Sequence, residues 1–315
     1  MITSAKKWQV IQSTYPVGLR PAAERNHRLR ELLAGPELVV APGAFDCITA
    51  RLVEAEGFPA VYVTGSGVSM SALGAPDVGL MSFAEVLDRV KRICDVVSIP
   101  VIADADTGYG GPLNVVRTVR EFERAGVSAI QIEDQAWPKK CGHELGRKLI
   151  RPEEMAARLR AALDARLDDD LVIIARTDAR TTEGIKEALA RAFMYQEAGA
   201  DVIFVESPES EEEMRRITRR MRAPTLVNMV EGGRTPILPV ATLQEIGYRI
   251  VIYPNSLTRV LGRAGQQVLR HLKADGSTEG LEDSMMDHRE LWALFEYEKW
   301  TETERRLGAS AESPG

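Results

Sequence analysis

Several things are scarce or missing in this 315-residue chain, and each absence excludes a class of chemistry. Cysteine occurs only at Cys47, Cys94 and Cys141. The number is odd, the spacing wide and no C-x-x-C pair is present, so neither a disulfide framework nor a zinc site is indicated. Any metal is expected to take oxygen ligands. No apolar run approaches the ~20 residues that span a bilayer, and Met1 to Lys7 hold no apolar stretch of the signal-peptide kind. A cytoplasmic protein with no membrane partner is expected. Positive charge is not in excess: 40 Lys and Arg face 46 Asp and Glu, for a formal net charge of −6. That balance excludes a protein that coats nucleic acid. A dinucleotide fingerprint is missing as well, since Gly65-Ser66-Gly67 lacks a third glycine at the required spacing.

What is present describes a globular protein, 44% hydrophobic and 27% charged. Short β-branched runs alternate with longer amphipathic segments, the pattern of βα units around a parallel sheet. Eight runs are read as strands: 38–41, 60–64, 101–105, 129–133, 171–177, 202–206, 225–228 and 249–253. Most precede a helix-like stretch such as 111–125 or 183–198. Eight units predict a TIM (β/α)8 barrel over a doubly wound open sheet, whose fingerprint is absent, and Gly65-Ser66-Gly67 reads as a tight βα turn. The expected divisions are an N-terminal helical extension over 1–33, a catalytic barrel over 34–275, a C-terminal helical segment over 276–306 and a disordered tail over 307–315.

In such barrels the site is built from the loops that follow the strands. Here the strand ends are polar: Thr64-Gly65-Ser66, Asp104 and Asp106, Glu133 and Asp134, Arg176 and Asp178, Glu206, and Asn228. Asp134 and Asp178 are the ones best explained as ordinary strand ends or helix caps. The sharpest segment is Asp104-Ala105-Asp106-Thr107-Gly108-Tyr109-Gly110. In extended backbone, positions i and i+2 share a side, so Asp104 and Asp106 are expected to face one hard cation, with Glu133 reaching it from the next strand. Mg²⁺ suits one or two carboxylates, waters and substrate oxygens, and Mn²⁺ is its realistic substitute.

Lys139-Lys140-Cys141-Gly142-His143 places a thiol among two ammonium groups, an imidazole and a glycine. Positive neighbours favour thiolate, so Cys141 is a candidate proton donor tuned by Lys139 and His143. The alternative is a surface loop with an incidental cysteine. Cys47 and Cys94 sit in apolar helix-like settings and read as packing residues.

These segments, together with Val63 to Gly67, Gly74 to Gly79, Gln131 to Gln135, Ala175 to Ala179, Phe204 to Glu206 and Asn228 to Gly233, resemble the isocitrate lyase and phosphoenolpyruvate mutase superfamily. The resemblance spans most of the chain. It implies a barrel with Mg²⁺ at its mouth, a mobile loop bearing the catalytic residue, and C-terminal helices swapped between subunits, commonly in homotetramers. It adds Asp77 to the metal set. It also implies Tyr62 as the candidate base, Glu206 as a further catalytic group whose protonated carboxyl joins the donors to the developing charge, and a substrate pocket shaped by Thr64, Gly65, Ser66, Gly142, Arg176 and Asn228. The KKCGH loop resembles the carbon–carbon lyases, and equally carboxyphosphonoenolpyruvate phosphonomutase and the oxaloacetate hydrolases.

Arg259 and Arg289 match arginines that hold distal carboxylates in 2-methylisocitrate lyases, whereas Asn228 to Gly233 looks more like the dimethylmalate lyases and the phosphonomutase. The reaction implied is Mg²⁺-dependent cleavage of a 2-hydroxy di- or tricarboxylate, such as 2-methylisocitrate, to a pyruvate-like 2-oxo acid and a succinate-like acid. The alternatives are the phosphonomutase, an oxaloacetate hydrolase or decarboxylase, a dimethylmalate lyase, and more remotely a non-catalytic barrel that binds a ligand.

Overall fold

The computed structural model describes residues 21–142 and 146–311, so His143 lies outside the described residues. Eight parallel strands close into a barrel in sequence order. The chain runs α1 (Ala22–Ala34), β1 (Val39–Ala44), α2 (Cys47–Ala55), β2 (Val61–Val63), α3 (Gly65–Leu73), α4 (Phe83–Cys94), β3 (Val101–Asp104), α5 (Pro112–Ala125) and β4 (Ala129–Glu133). It continues through α6 (Pro152–Ala165), β5 (Val172–Thr177), α7 (Ala179–Glu183), α8 (Ile185–Glu197), β6 (Val202–Val205), α9 (Glu211–Arg220), β7 (Thr225–Asn228), α10 (Val240–Ile246) and β8 (Ile250–Tyr253). The last elements are α11 (Ser256–Asp275), a 3-10 turn at Glu282–Ser284, α12 (His288–Leu294) and α13 (Tyr297–Ala311). No helix among the described residues is long and apolar enough to cross a membrane.

Strand alternation splits the core in two. Val61, Val63, Ala103, Ile130, Ile132, Ile173 and Ala175 pack outward beneath the helices. The residues between them, including Tyr62, Ile102, Ile174, Phe204 and Ile252, fill the lumen. Strands buried on both faces must be apolar almost throughout, which is why they read as continuous runs. Each fully buried Val, Leu, Ile or Phe contributes ~1.5–3 kcal/mol.

The N-terminal helix belongs to this unit and is not an appendage. Leu29 and Leu33 of α1 join the lumen cluster, and Arg25 NH1 donates to Cys94 O and Val97 O, each at 2.9 Å. The compact barrel unit runs from Pro21 to Arg259, and a second begins at Val260. In the second unit, α12 opens with a capping box of Asp287 and Glu290, and Trp292 meets Tyr297 edge-on at 4.4 Å between ring centroids.

Three local readings are corrected. Gly65-Ser66-Gly67 is the first turn of α3, capped by Thr64, whose hydroxyl accepts from Gly67 N–H at 3.3 Å. The stretch 183–198 is interrupted at Gly184, whose φ of 87° no helix tolerates. The final helix continues to Ala311, past the point where a disordered tail was expected.

Candidate active site

The C-terminal ends of the strands bring most of the expected residues to one mouth. Tyr62, Asp104, Arg176, Glu206 and Asn228, from five different strand ends, line an inner cavity of about 40 Å³. Thr64, Ser66, Asp77, Cys141, Gly142 and Asn255 complete its polar wall. Gly142 lies so close to the floor that a Cβ there would clash with Arg176 NH2 and sit 2.8 Å from Glu206 Oε2. Only glycine lets the loop backbone rest on these groups.

Arg176 is the centre of charge. Its Nε and NH2 donate to Asp178 at 3.0 and 2.9 Å, while NH1 lies 3.3 Å from Glu133 and NH2 lies 3.4 Å from Glu206. Burial works against its charge, but Asp178, Glu133 and Glu206 outweigh burial and hold the guanidinium cationic. Glu206 Oε1 accepts from Ser207 N–H at 2.7 Å, and its Oε2 accepts from Asn228 Nδ2 at 3.1 Å. Tyr62 is fully buried, and desolvation, followed by the nearby Asp104 charge, pushes its phenol well above the usual range. It stands as a neutral hydroxyl and not as an anionic base.

The acidic group departs from expectation. Asp106 lies beyond the end of β3 with φ 49°, so strand alternation does not bring it beside Asp104. A turn does, and Asp106 N–H donates to Asp104 Oδ1 at 3.0 Å. Lys139, expected as a tuning charge beside the thiol, is 3% exposed with Nζ at 2.5 Å from both Asp77 and Asp106. Burial disfavours the ammonium, but Asp106 and Asp77 more than compensate. Asp106 is pushed up to about 6, chiefly by burial, against the opposing pull of Lys139. Burial also raises Glu133 well above the usual range, against the pull of Arg176.

The four carboxylates expected around one cation therefore do not converge as a cage, because Asp77 and Asp106 pair with Lys139 and Glu133 with Arg176. Among the described residues no group of three or more His, Cys, Asp or Glu is arranged to hold a metal. The donor chemistry still fits a hard divalent ion. A Cβ at Gly65 would meet Asp104 Oδ2 at 3.0 Å and Asp106 Oδ1 at 3.6 Å, so both oxygens face one point. Glu133 Oε1 is buried without a hydrogen-bond partner. Two carboxylates completed by water and substrate oxygens are what Mg²⁺ takes.

Asp134 and Asp178 do more than end strands. Asp134 accepts from Thr177 Oγ1 and Tyr195 OH, each at 2.8 Å, and from Asp178 N–H at 2.9 Å. Asp178 makes no cap bond to its own helix and instead aligns Arg176, while Arg147 pairs with Asp178 and Thr181. Sequence reasoning assigned no role to Arg147, Ser207 or Gln135. Gln135 pins the loop by exchanging two 2.9 Å hydrogen bonds with the Lys140 backbone. Only its place beside the Glu133-Asp134 pair hinted at this.

Cys141 is half-buried, and its N–H donates to Asp77 O at 3.2 Å. It lines the inner cavity and also an outer one of about 530 Å³. The outer cavity carries Met70, Val78 and Val230 as apolar wall and Lys140 and Arg259 as cations. Arg259 Nε lies 4.0 Å from Glu231 Oε2. Arg289 belongs to the second unit, where it lines a groove with His288 and Trp292. Cys94 is buried as expected, whereas Cys47 is only half-buried at the start of α2, with its thiol 3.5 Å from Arg92 O.

A closed eight-stranded barrel with this polar mouth defines a class, and comparison with known proteins names it. A family model described as phosphoenolpyruvate phosphomutase matches residues 29–273. The chain is 52% identical over 277 residues to 2,3-dimethylmalate lyase of Eubacterium barkeri, covering 88% of this chain and 96% of that protein. It is 45% identical over 284 residues to 2-methylisocitrate lyase of Aeropyrum pernix, covering 90% and 91%. A crystal structure of 2,3-dimethylmalate lyase, a PEP mutase/isocitrate lyase superfamily member, matches with TM-score 0.86 and 37% identity, covering 94% of this chain and 99% of that one. Phosphonopyruvate hydrolase in complex with oxalate and Mg²⁺ matches with TM-score 0.81 and 32% identity, covering 90% and 98%. The chain belongs to the PEP mutase/isocitrate lyase superfamily. It is an enzyme of the carbon–carbon lyase type.

Proposed function

We propose that this enzyme cleaves a 2-hydroxy di- or tricarboxylate into a 2-oxo acid and a second carboxylic acid. The observation that carries the reading is the position of Cys141, which borders both the inner polar cavity and the larger outer cavity. In this arrangement the 2-oxo acid half forms in the inner cavity and the departing acid in the outer one. The thiol stands between them.

Arg176 and Asn228 hold the carboxylate of the inner half, since fixed donors in a dry site stabilise charge there strongly. The substrate hydroxyl hydrogen-bonds to the Tyr62 oxygen, which holds it in place, and its proton passes through the cavity mouth to solvent. The C2–C3 bond then breaks, and its electron pair passes to C3 and into the adjoining carboxylate. Cys141 delivers a proton to that carbon, and the resulting thiolate regains one from solvent. Mg²⁺ or Mn²⁺, when held through Asp104 and Asp106, supplies polarisation of the substrate oxygens.

Arg259 gives the outer cavity a cation for a distal carboxylate, and Met70, Val78 and Val230 suit alkyl substituents. These features favour a branched malate or 2-methylisocitrate over oxaloacetate. In the second unit Leu261, Leu269, Trp292 and Trp300 are exposed, which supports a homo-oligomer whose C-terminal helices pack on a second copy and bring Arg289 into use.

The test is a substrate panel with Mg²⁺: 2,3-dimethylmalate, 2-methylisocitrate, isocitrate, oxaloacetate and carboxyphosphonoenolpyruvate. The lyase reading expects 2-oxo acid from a hydroxy acid. A phosphorus product with no 2-oxo acid from any hydroxy acid overturns it in favour of a phosphonomutase.

A further inference from the structure

One polar residue in the lumen below the mouth plays no part in the steps above. Alternation along β4 puts Ala129, Gln131 and Glu133 on its inner face, so Gln131 stands between an apolar floor and the carboxylate rim. Its register partners are Asp104 on β3 and Ile174 on β5. It is fully buried. Gln131 Oε1 accepts a 3.1 Å hydrogen bond from Tyr62 OH, while its Nε2 has no protein partner among the described residues.

An apolar residue would fill this space without placing an amide in it. An unpaired buried N–H group is destabilising, whereas a same-shaped apolar replacement that removes both partners can be neutral. What glutamine provides and methionine does not is an acceptor for the Tyr62 proton. A phenol has one proton and two lone-pair directions. With the proton turned to Gln131, the Tyr62 oxygen keeps a lone pair for the cavity it lines.

We propose that Gln131 is a positioning residue: by accepting the Tyr62 hydroxyl proton it fixes the Tyr62 oxygen as a hydrogen-bond acceptor for the 2-hydroxyl of the substrate. This rests on the reading of the inner cavity as the substrate site. Without Gln131 the phenol rotates and presents its proton to the cavity, and the substrate hydroxyl then meets a donor where it needs an acceptor.

The experiment is a double-mutant cycle of Gln131→Met and Tyr62→Phe, with kcat, KM and thermal midpoint measured for all four proteins on the substrate that the panel identifies. Gln131→Met is expected to lower kcat about 10- to 100-fold, as small misplacements at a reacting centre do, with the thermal midpoint little changed, because removal of the unpaired Nε2 offsets the Tyr62 proton left without its acceptor. In the Tyr62→Phe background the same change is expected to have no further effect on kcat, the signature of two residues acting as one unit. Gln131→Leu repeats the test with a different apolar shape. Equal kcat losses in both backgrounds, or a thermal midpoint that falls with activity in both Gln131 variants, overturn the inference and leave the lyase reading standing. Full turnover in Tyr62→Phe removes Tyr62 from the site and overturns this inference together with that part of the mechanism.

Discussion

Lys139 Nζ lies 2.5 Å from Asp106 Oδ1, so a cation supplied by the protein already occupies one side of the acidic group. A divalent ion binding through Asp106 competes with that ammonium. Lys139→Met is therefore expected to bind Mn²⁺ more tightly than the parent, and Asp106→Ala more weakly with an unchanged circular dichroism spectrum. Electron paramagnetic resonance of free Mn²⁺ reads both. Chelation should abolish turnover and Mg²⁺ restore it; full turnover in excess chelator would remove the metal from the reaction.

Cys141 borders both cavities but sits on a loop and not on a strand end, which predicts a part in the chemical step and little in ground-state binding. Cys141→Ser should lower kcat by roughly the 10²–10⁴ of general acid–base catalysis, with little change in substrate affinity. Single-turnover cleavage in deuterated solvent, with deuterium counted in the released acid, separates bond breaking from protonation. An unchanged rate would reduce the loop to a cover.

Arg259→Ala should cut kcat/KM for 2-methylisocitrate far more than for 2,3-dimethylmalate. Losing a charge-assisted contact costs on the order of 2 kcal/mol or more where the partner charge stays buried. Arg289→Ala follows the same pattern only if a second copy brings that helix to the site. Comparing both variants on both substrates, beside their oligomeric state by light scattering, tests the pair; equal losses on both substrates point to a structural role.

Burial pushes the Cys94 thiol from its usual 9.0 up to about 12. Its folded value is thus raised, so the stabilisation it reflects is whole below pH 9 and is lost as pH rises towards 12. The unfolded chain releases that proton first, and unfolding free energy should fall by up to about 1.4 kcal/mol per pH unit in the window. Urea denaturation at pH 8, 9 and 10 measures the slope, which Cys94→Ala should flatten.

Strand count, strand placement and most of the mouth were legible in the chain because parallel strands buried on both faces leave unbroken apolar runs, most of them closed by a polar residue. Asp104, Arg176, Glu206 and Asn228 announced themselves that way. Asp106 was named with them, but a left-handed turn and not strand alternation brings it beside Asp104. Asp178 looked like a helix cap and is instead the partner that aligns Arg176.

The sequence by itself determined the eight βα units, the acidic and basic groups at their ends, and the cysteine loop, because periodicity and residue type are local properties. Only the tertiary structure decided which charges meet. Lys139 and Lys140 are neighbours in the chain, yet Lys139 is buried between Asp77 and Asp106 while Lys140 lines the outer cavity. Pairing of that kind depends on distances of a few ångströms between residues tens of positions apart, and those distances exist only once the barrel has closed.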